Sequence, residues 1–201
     1  MASDGAPDWV AVERARLLDL LRTYAYEERE VVLASGQKSD FYIDCRQVAL
    51  MGEGHFLIGR LFLHLVDDLE QRGGARAGAC GGMSVGADPL CSALSLTAFL
   101  GGRSLPAIYV RKEPKGHGTG AYLEGTKSVP AGARVVLLED VITTAGSSLK
   151  AAERLRANGF VVEDVLTLVD REAGGEEALA AAGLELHALF TRSRDFPKKA
   201  A

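Results

Sequence analysis

The sequence predicts an α/β protein: a twisted, mostly parallel sheet flanked by helices, with a small N-terminal segment over one edge. From Arg76 onward, short β-rich runs alternate with helix-patterned runs, the order that builds a parallel sheet. Two of those β-rich runs lead into loops rich in Gly, Ser or Thr, as where such sheets bind ligands. The first 50 residues stand outside the alternation and are expected to form a hood over the sheet's active edge. A length of 201 residues suits one domain, with about 1–50 as N-terminal helix and hood hairpin and about 51–201 as the α/β core.

Asp8 is placed to cap a helix over Trp9 to Tyr24, whose apolar side is Val10, Leu17, Leu18, Leu20, Leu21 and Tyr24. Two β-rich runs, Glu30–Leu33 and Phe41–Asp44, flank the turn Ser35–Ser39 and read as a hairpin. A second helix fits His55 to Gln71, with Phe56, Ile58, Leu61, Leu65 and Leu69 apolar and Gly73–Gly74 ending it. A weak strand at Ala77–Cys80 then leads into a glycine-bearing loop, Gly81–Gly86, and a helix to about Leu100. The strand Ala107–Val110 enters a long polar loop, Arg111–Gly125. The strand Val135–Leu138 is followed by a loop and a helix ending at Asn158–Gly159. The strand Val165–Val169, a short helix Glu176–Ala182 stopped by Gly183, and the strand Glu185–Phe190 complete the pattern.

Hydrophobic residues at 47% and charged residues at 25% describe a soluble globular chain. A net charge of −4 and a pI near 5.6 argue against a nucleic-acid binder, while leaving room for a local basic site. Cys45, Cys80 and Cys91 form no CxxC pair, so neither a disulfide framework nor a zinc knuckle is expected. The apolar stretch Ala87–Leu100 is broken by Asp88 and Pro89 and is shorter than the roughly 20 residues that span a bilayer. The N-terminus lacks the basic-then-apolar order of a signal peptide, so a cytoplasmic location without membrane attachment is expected. His55, His64 and His187 have no metal-site spacing and read as structural, and Trp9 as a packing or subunit anchor.

The most informative stretch runs from Val135 to Ser148. An apolar strand ends in Glu139–Asp140, followed by Val141–Ile142 and the small, hydroxylated run Thr143, Thr144, Ala145, Gly146 and Ser147 before a helix. A helix N-terminus presents unpaired N–H groups and a partial positive charge, which suit a phosphate. Small side chains at Ala145 and Gly146 let the backbone approach a ligand, and the loop matches neither the Walker pattern nor G-x-G-x-x-G. Two acids beside such a cradle would repel a bare phosphate. They fit a ligand that also brings hydroxyls or Mg²⁺, as a ribose 5-phosphate does; the plainer alternative is a strand end followed by an ordinary Ser/Thr-capped helix. The segment resembles the PRPP-binding motif of the type I phosphoribosyltransferases. That resemblance implies their fold, with Glu139 and Asp140 on the ribose hydroxyls and Thr143 to Ser147 on the 5-phosphate. Val141 and Ile142 belong to the same binding stretch, and Glu139 stands where the family often has Asp.

Arg111, Lys112, Lys115 and His117 crowd into a loop with glycines at 116, 118 and 120. By itself this is either a solvated surface loop or a lid, since glycine makes a segment conformationally permissive. Breaking the bond from ribose C1 to pyrophosphate releases a highly charged anion, so a lid over that site should be basic. The segment resembles the catalytic loop of the orotate phosphoribosyltransferases, R-K-x-x-K-x-H-G. The resemblance implies that Arg111, Lys112, Lys115 and His117 bind the pyrophosphate end of PRPP, with Lys115, Arg111, His117 and Asp140 as the catalytic set. It also implies a homodimer whose loops reach into neighbouring sites, and Mg²⁺ carried in with PRPP and no direct protein ligand.

Orotate carries a carboxylate, which an Arg can bind through its planar fork. Arg171 follows the strand Val165–Val169, on the edge expected to hold the phosphate loop; alone, it could equally be an exposed Arg paired with Asp170 or Glu172. By resemblance Arg171 and Thr143 contact orotate. The segment Leu33–Asp44 resembles the family's L-K-S-G-x-x-S-x-x-Y/F, but Ala34 replaces the usual Lys and Val85 stands where some members carry another. Lys38 is a candidate to supply that charge, and Phe41 and Tyr42 are candidates to stack on the base or to pack in the core. Two rivals remain at this level: transfer to a purine or other base, and a non-catalytic PRPP-sensing regulator.

Overall fold

Helix α1 (Asp8–Tyr24) opens the chain in a computed structural model that describes residues 7–29, 31–32, 38–39, 41–114 and 122–197. Asp8 is the helix's first residue and makes no side-chain cap, because Pro7 supplies the boundary with its extended backbone. The Asp8 carboxylate lies instead in the first turn, where the helix dipole favours it. Leu17, Leu20 and Leu21 are buried as the spacing implies, but Tyr24 is exposed.

Among the described residues, the two runs expected to form a hairpin, Glu30–Leu33 and Phe41–Asp44, take other partners. β1 (Tyr26–Glu27) pairs antiparallel with β4 (Tyr42–Ile43), and β2 (Val31–Val32) pairs with β3 (Lys38–Ser39). The buried Phe41 ring packs 5.1 Å from Tyr26 and 5.7 Å from Phe196, which draws this segment toward β1. A short helix α2 (Arg46–Ala49), which the periodicity did not reveal, precedes α3 (Gly52–Gln71). Gly54 explains the earlier start of α3: a Cβ there would lie 2.1 Å from the Val48 carbonyl, so only glycine lets the two helices pack.

The core strands are β5 (Ala79–Met83), β6 (Ala107–Val110), β7 (Leu123–Glu124), β8 (Val135–Ile142), β9 (Asp164–Asp170) and β10 (Glu185–Thr191). The sheet order is β10-β9-β8-β5-β6-β7, parallel throughout except for β7, which returns antiparallel on β6. Helices α4 (Asp88–Leu100), α5 (Gly146–Ala157), α6 (Gly175–Ala181) and α7 (Arg192–Asp195) complete the chain. Alternation along β8 divides the core. Val136 and Leu138 join the side holding α1, α3 and α4, and Val135 and Leu137 join the side holding α5 and α6.

Two strand boundaries differ from expectation in ways that shape the site. β5 includes Gly81 and Gly82, which the sequence places in a loop. A Cβ at Gly82 would lie 2.3 Å from the Leu138 carbonyl and 2.4 Å from the Ala87 side chain, so glycine here serves close backbone approach. β8 runs through the acids to Ile142, because its pairing with β9 continues past Glu139↔Thr167 to Ile142↔Asp170. β7 and α7 were not legible in the sequence, and β9, α6 and β10 differ from their expected limits by a residue at one or both ends.

Candidate functional site

Ignoring β7, the parallel strands run in the order 2-1-3-4-5, and the winding reverses between β5 and β8. In open α/β sheets, ligands bind outside the carboxyl ends of the strands at such a switch point. The loop after β5 meets the end of β8 there: a Cβ on Gly86 would lie 2.9 Å from Asp140 Oδ1. At this edge the structure brings together Glu139, Asp140, the 143–147 turn and, from the end of β9, Arg171.

The turn after β8 is shaped for a ligand. Ala145 holds a left-handed backbone at φ 60°, unusual without glycine, and forms the boundary of α5. A Cβ on Gly146 would meet nothing within 4 Å, so the start of the helix faces open space. Gly175 wedges the turn from below, since a Cβ there would lie 2.8 Å from the Thr143 carbonyl. Thr144, Gly146 and Ser147 are exposed and Thr143 is half-buried.

Glu139 is 5% exposed and accepts hydrogen bonds from Ser147 Oγ at 2.6 Å and Ser148 Oγ at 2.9 Å. Burial pushes its carboxyl up to about 7; the serine hydroxyls oppose this shift and the negative Asp140 adds to it. Asp140 is also raised by burial, against the Val141 amide at 2.9 Å and the charge of Arg46. Arg46 is itself fixed by Asp44 at 2.7 Å, a pair at the start of α2 that the sequence did not single out.

The raised Glu139 carboxyl has a consequence for stability. Its folded value of about 7 exceeds the 4.5 of an unperturbed Glu, so the fold favours the protonated form. Stability therefore falls as pH rises from the unfolded value through about 7. Glu139→Gln is expected to be more stable than the parent near pH 8, by up to about 3 kcal/mol, and to show no such gain near pH 4. Urea unfolding at both pH values checks this, and an equal change at both would contradict the buried titration.

Arg171 donates from Nη2 to the Phe41 carbonyl at 3.1 Å, and its guanidinium lies 5.2 Å from the Phe41 ring centroid. Arg192 lies over the same ring at 5.3 Å, and burial followed by the Arg192 charge lowers the Arg171 pKa. Phe41 is thus a core ring beneath two cations, and Tyr42 lies under Arg29 at 4.1 Å. Lys38 lies on β3, paired with Val32.

The Arg111 guanidinium faces Glu124 at 3.5 Å and also donates to the Glu113 carbonyl at 3.3 Å, while Lys112 is exposed. Lys115 and His117 lie outside the described residues. None of the three cysteines forms a disulfide, and all are buried. Away from the switch point, Asp164, Glu185 and His187 bring ligand atoms within 4.8 Å of one another at the opposite ends of β9 and β10. Asp164 is engaged there by Arg134 and by His187 Nε2 at 3.0 Å, which gives His187 a structural partner. Among the described residues, no helix is long and apolar enough to cross a membrane.

Comparison with known proteins bears on this geometry. No family model matches the chain. It is 52% identical over 186 residues to the orotate phosphoribosyltransferase of Sorangium cellulosum, covering 92% of this chain and 94% of that protein. The crystal structure of Mycobacterium tuberculosis orotate phosphoribosyltransferase with Fe(III) dicitrate superposes with a TM-score of 0.78 at 34% identity, covering 92% of this chain and 99% of the other. The same enzyme in complex with PRPP superposes with a TM-score of 0.72 at 32% identity, covering 90% and 97%. At this identity and coverage the chain belongs to the orotate phosphoribosyltransferase family.

Proposed function

We propose that this chain transfers the 5-phosphoribosyl group from PRPP to orotate, giving orotidine 5′-monophosphate and pyrophosphate in the pathway to UMP. The observation that carries the reading is the gathering, at one switch point, of an open helix N-terminus, the buried Glu139 beside the half-buried Asp140, and Arg171. The phosphate of PRPP sits on the Thr143 to Ser147 turn, where unpaired N–H groups and the dipole of α5 favour it. Val141 and Ile142 carry the backbone into that turn, and Glu139 and Asp140 accept from the ribose hydroxyls. Arg111, Lys112, Lys115 and His117 stabilise the leaving pyrophosphate, and Arg171 with Thr143 orients orotate. No covalent enzyme intermediate is needed, since positioning and charge stabilisation suffice.

The donors at the end of β8 are hard carboxylate oxygens of the kind Mg²⁺ takes, and a nearby cation would favour their ionised form against the burial that raises their pKa. Mg²⁺ would enter with PRPP, and Asp140 is the carboxylate that would face it. Bound there, the ion neutralises charge on the departing pyrophosphate. A homodimer with shared sites is part of the proposal, supported by the exposed Leu96, Phe99 and Leu100 of α4. The three buried thiols suit a reducing cytoplasm.

Arg171 disfavours the purine alternative, because a site built for a carboxylate rejects bases that lack one. The test is a direct assay: loss of orotate absorbance with PRPP and Mg²⁺, run beside adenine, hypoxanthine and uracil. Consumption of orotate alone is the expected result. Turnover of a purine without orotate would overturn the assignment.

A further inference from the structure

Helix α5 does more than begin at the phosphate turn. Two turns along it, half-buried Arg154 reaches across to the segments on either side of the cationic loop. Its Nη1 donates to the Arg111 carbonyl and lies 3.8 Å from Met83 Sδ, and its Nη2 donates to the Lys112 carbonyl at 3.2 Å. The guanidinium also lies 4.0 Å from the centroid of the Tyr122 ring. The Arg111 amide in turn donates to the Tyr122 carbonyl at 2.8 Å, so the outgoing and returning segments are joined where Arg154 grips them.

We infer that Arg154 is a positioning residue: from α5 it fixes the backbone that carries Arg111 and Lys112, and so sets where those cations meet the pyrophosphate of PRPP. The inference rests on the PRPP reading above. A helix is a stiff rod rising about 1.5 Å per residue, so Arg154 lies roughly 12 Å from Gly146 along the axis. One rigid element therefore indexes both ends of PRPP, with the 5-phosphate at its first turn and the cationic stem two turns on. The chemistry calls for arginine. Two adjacent carbonyls and an aromatic face are satisfied together by a planar fork, whereas a lysine ammonium is a point charge without that plane. The bonds to Arg111 and Lys112 end on backbone carbonyls, so they direct the main chain without engaging either cationic side chain; Lys112 is exposed, and the Arg111 guanidinium rests on Glu124 and the Glu113 carbonyl, which the anion would replace.

The test compares Arg154→Ala and Arg154→Lys with the parent protein. Arg154→Ala is expected to lower kcat/KM for PRPP by about 10–100-fold, the scale of an ångström-sized misplacement, with the orotate KM within about twofold. Arg154→Lys should fall between the two, and the melting temperature should stay close to the parent's. Hydrogen exchange supplies an arm that does not depend on the reaction: in Arg154→Ala, the amides of 111–113 and 122–124 should exchange faster while those of β8 and β9 do not. Unchanged exchange in those segments would overturn the tether. Faster exchange with unaltered PRPP kinetics would overturn its role in catalysis. Parallel loss of every kinetic constant together with melting temperature would reduce Arg154 to a structural residue. A parent protein that leaves orotate unconsumed would refute the proposed reaction, while the exchange result would still decide the tether.

Discussion

Lys115→Ala is expected to lower kcat by about 100–1,000-fold while leaving the orotate KM within about twofold, by analogy with loss of one oxyanion donor, worth ~2.7–4 kcal/mol. As the bond from ribose C1 to pyrophosphate stretches, negative charge builds on the leaving oxygens and positive charge on the sugar. A lysine that meets those oxygens gains most in the transition state, and its loss therefore falls on turnover more than on ground-state binding. In the proposed arrangement orotate lies on the other side of C1, against Arg171, and does not depend on the lysine charge. Lys115 follows the stem at Arg111 and Lys112, whose backbone Arg154 holds beside the carboxyl end of β5. Steady-state kinetics with each substrate varied in turn will check the split, with single-turnover measurement separating chemistry from product release. Equal losses in turnover and in orotate binding would remove Lys115 from the leaving-group site.

What the sequence made legible follows from the range of the interactions involved. The alternation from β9 to β10 is local, so those strands and the helix between them were placed to within a residue, whereas β8 runs past its expected end at Leu138 to Ile142 because its pairing with β9 continues. The run from Glu139 to Ser147 was readable as a strand end, turn and helix start because the three are consecutive in one segment. Pairings among very short strands were not readable. Tyr42–Ile43 chose Tyr26–Glu27 through Phe41 and Phe196, and the second ring lies far along the chain. The same holds for the added cations. Arg46 acts on Asp140, Arg154 on Arg111, and Arg192 on Arg171, in each case across elements that only the fold brings together. That Gly81 and Gly82 lie within β5 was hidden for another reason: glycine signals a turn unless a neighbouring backbone demands its bare Cα.

Arg171→Ala should raise the orotate KM by about 100-fold, with a smaller change in kcat at saturating orotate. The magnitude follows from geometry and desolvation. Arg171 leaves the end of β9 with its amide bonded to the Ile142 carbonyl at 2.9 Å, so its backbone is locked to the strand that delivers the phosphate turn. Its guanidinium is held at the Phe41 carbonyl and over the Phe41 ring, which restricts the side chain before any ligand arrives. Burial lowers its pKa, yet a guanidinium stays protonated at any working pH, so the site keeps its charge in poorly hydrated surroundings. A carboxylate entering there trades water for a positioned cation, and truncating that cation leaves the anion unpaired, a loss of about 2–5 kcal/mol. Arg192 over the same ring keeps part of the positive potential, which sets the expectation toward the lower end of that range. Because the contact is made equally before and during bond formation, the loss falls on KM more than on kcat. Arg171→Lys should recover only part of the affinity, since an ammonium lacks the two-pronged match to a carboxylate. Discrimination between orotate and uracil decides the matter. It should collapse in Arg171→Ala if the guanidinium reads the carboxylate, and an unaltered ratio would place that recognition elsewhere.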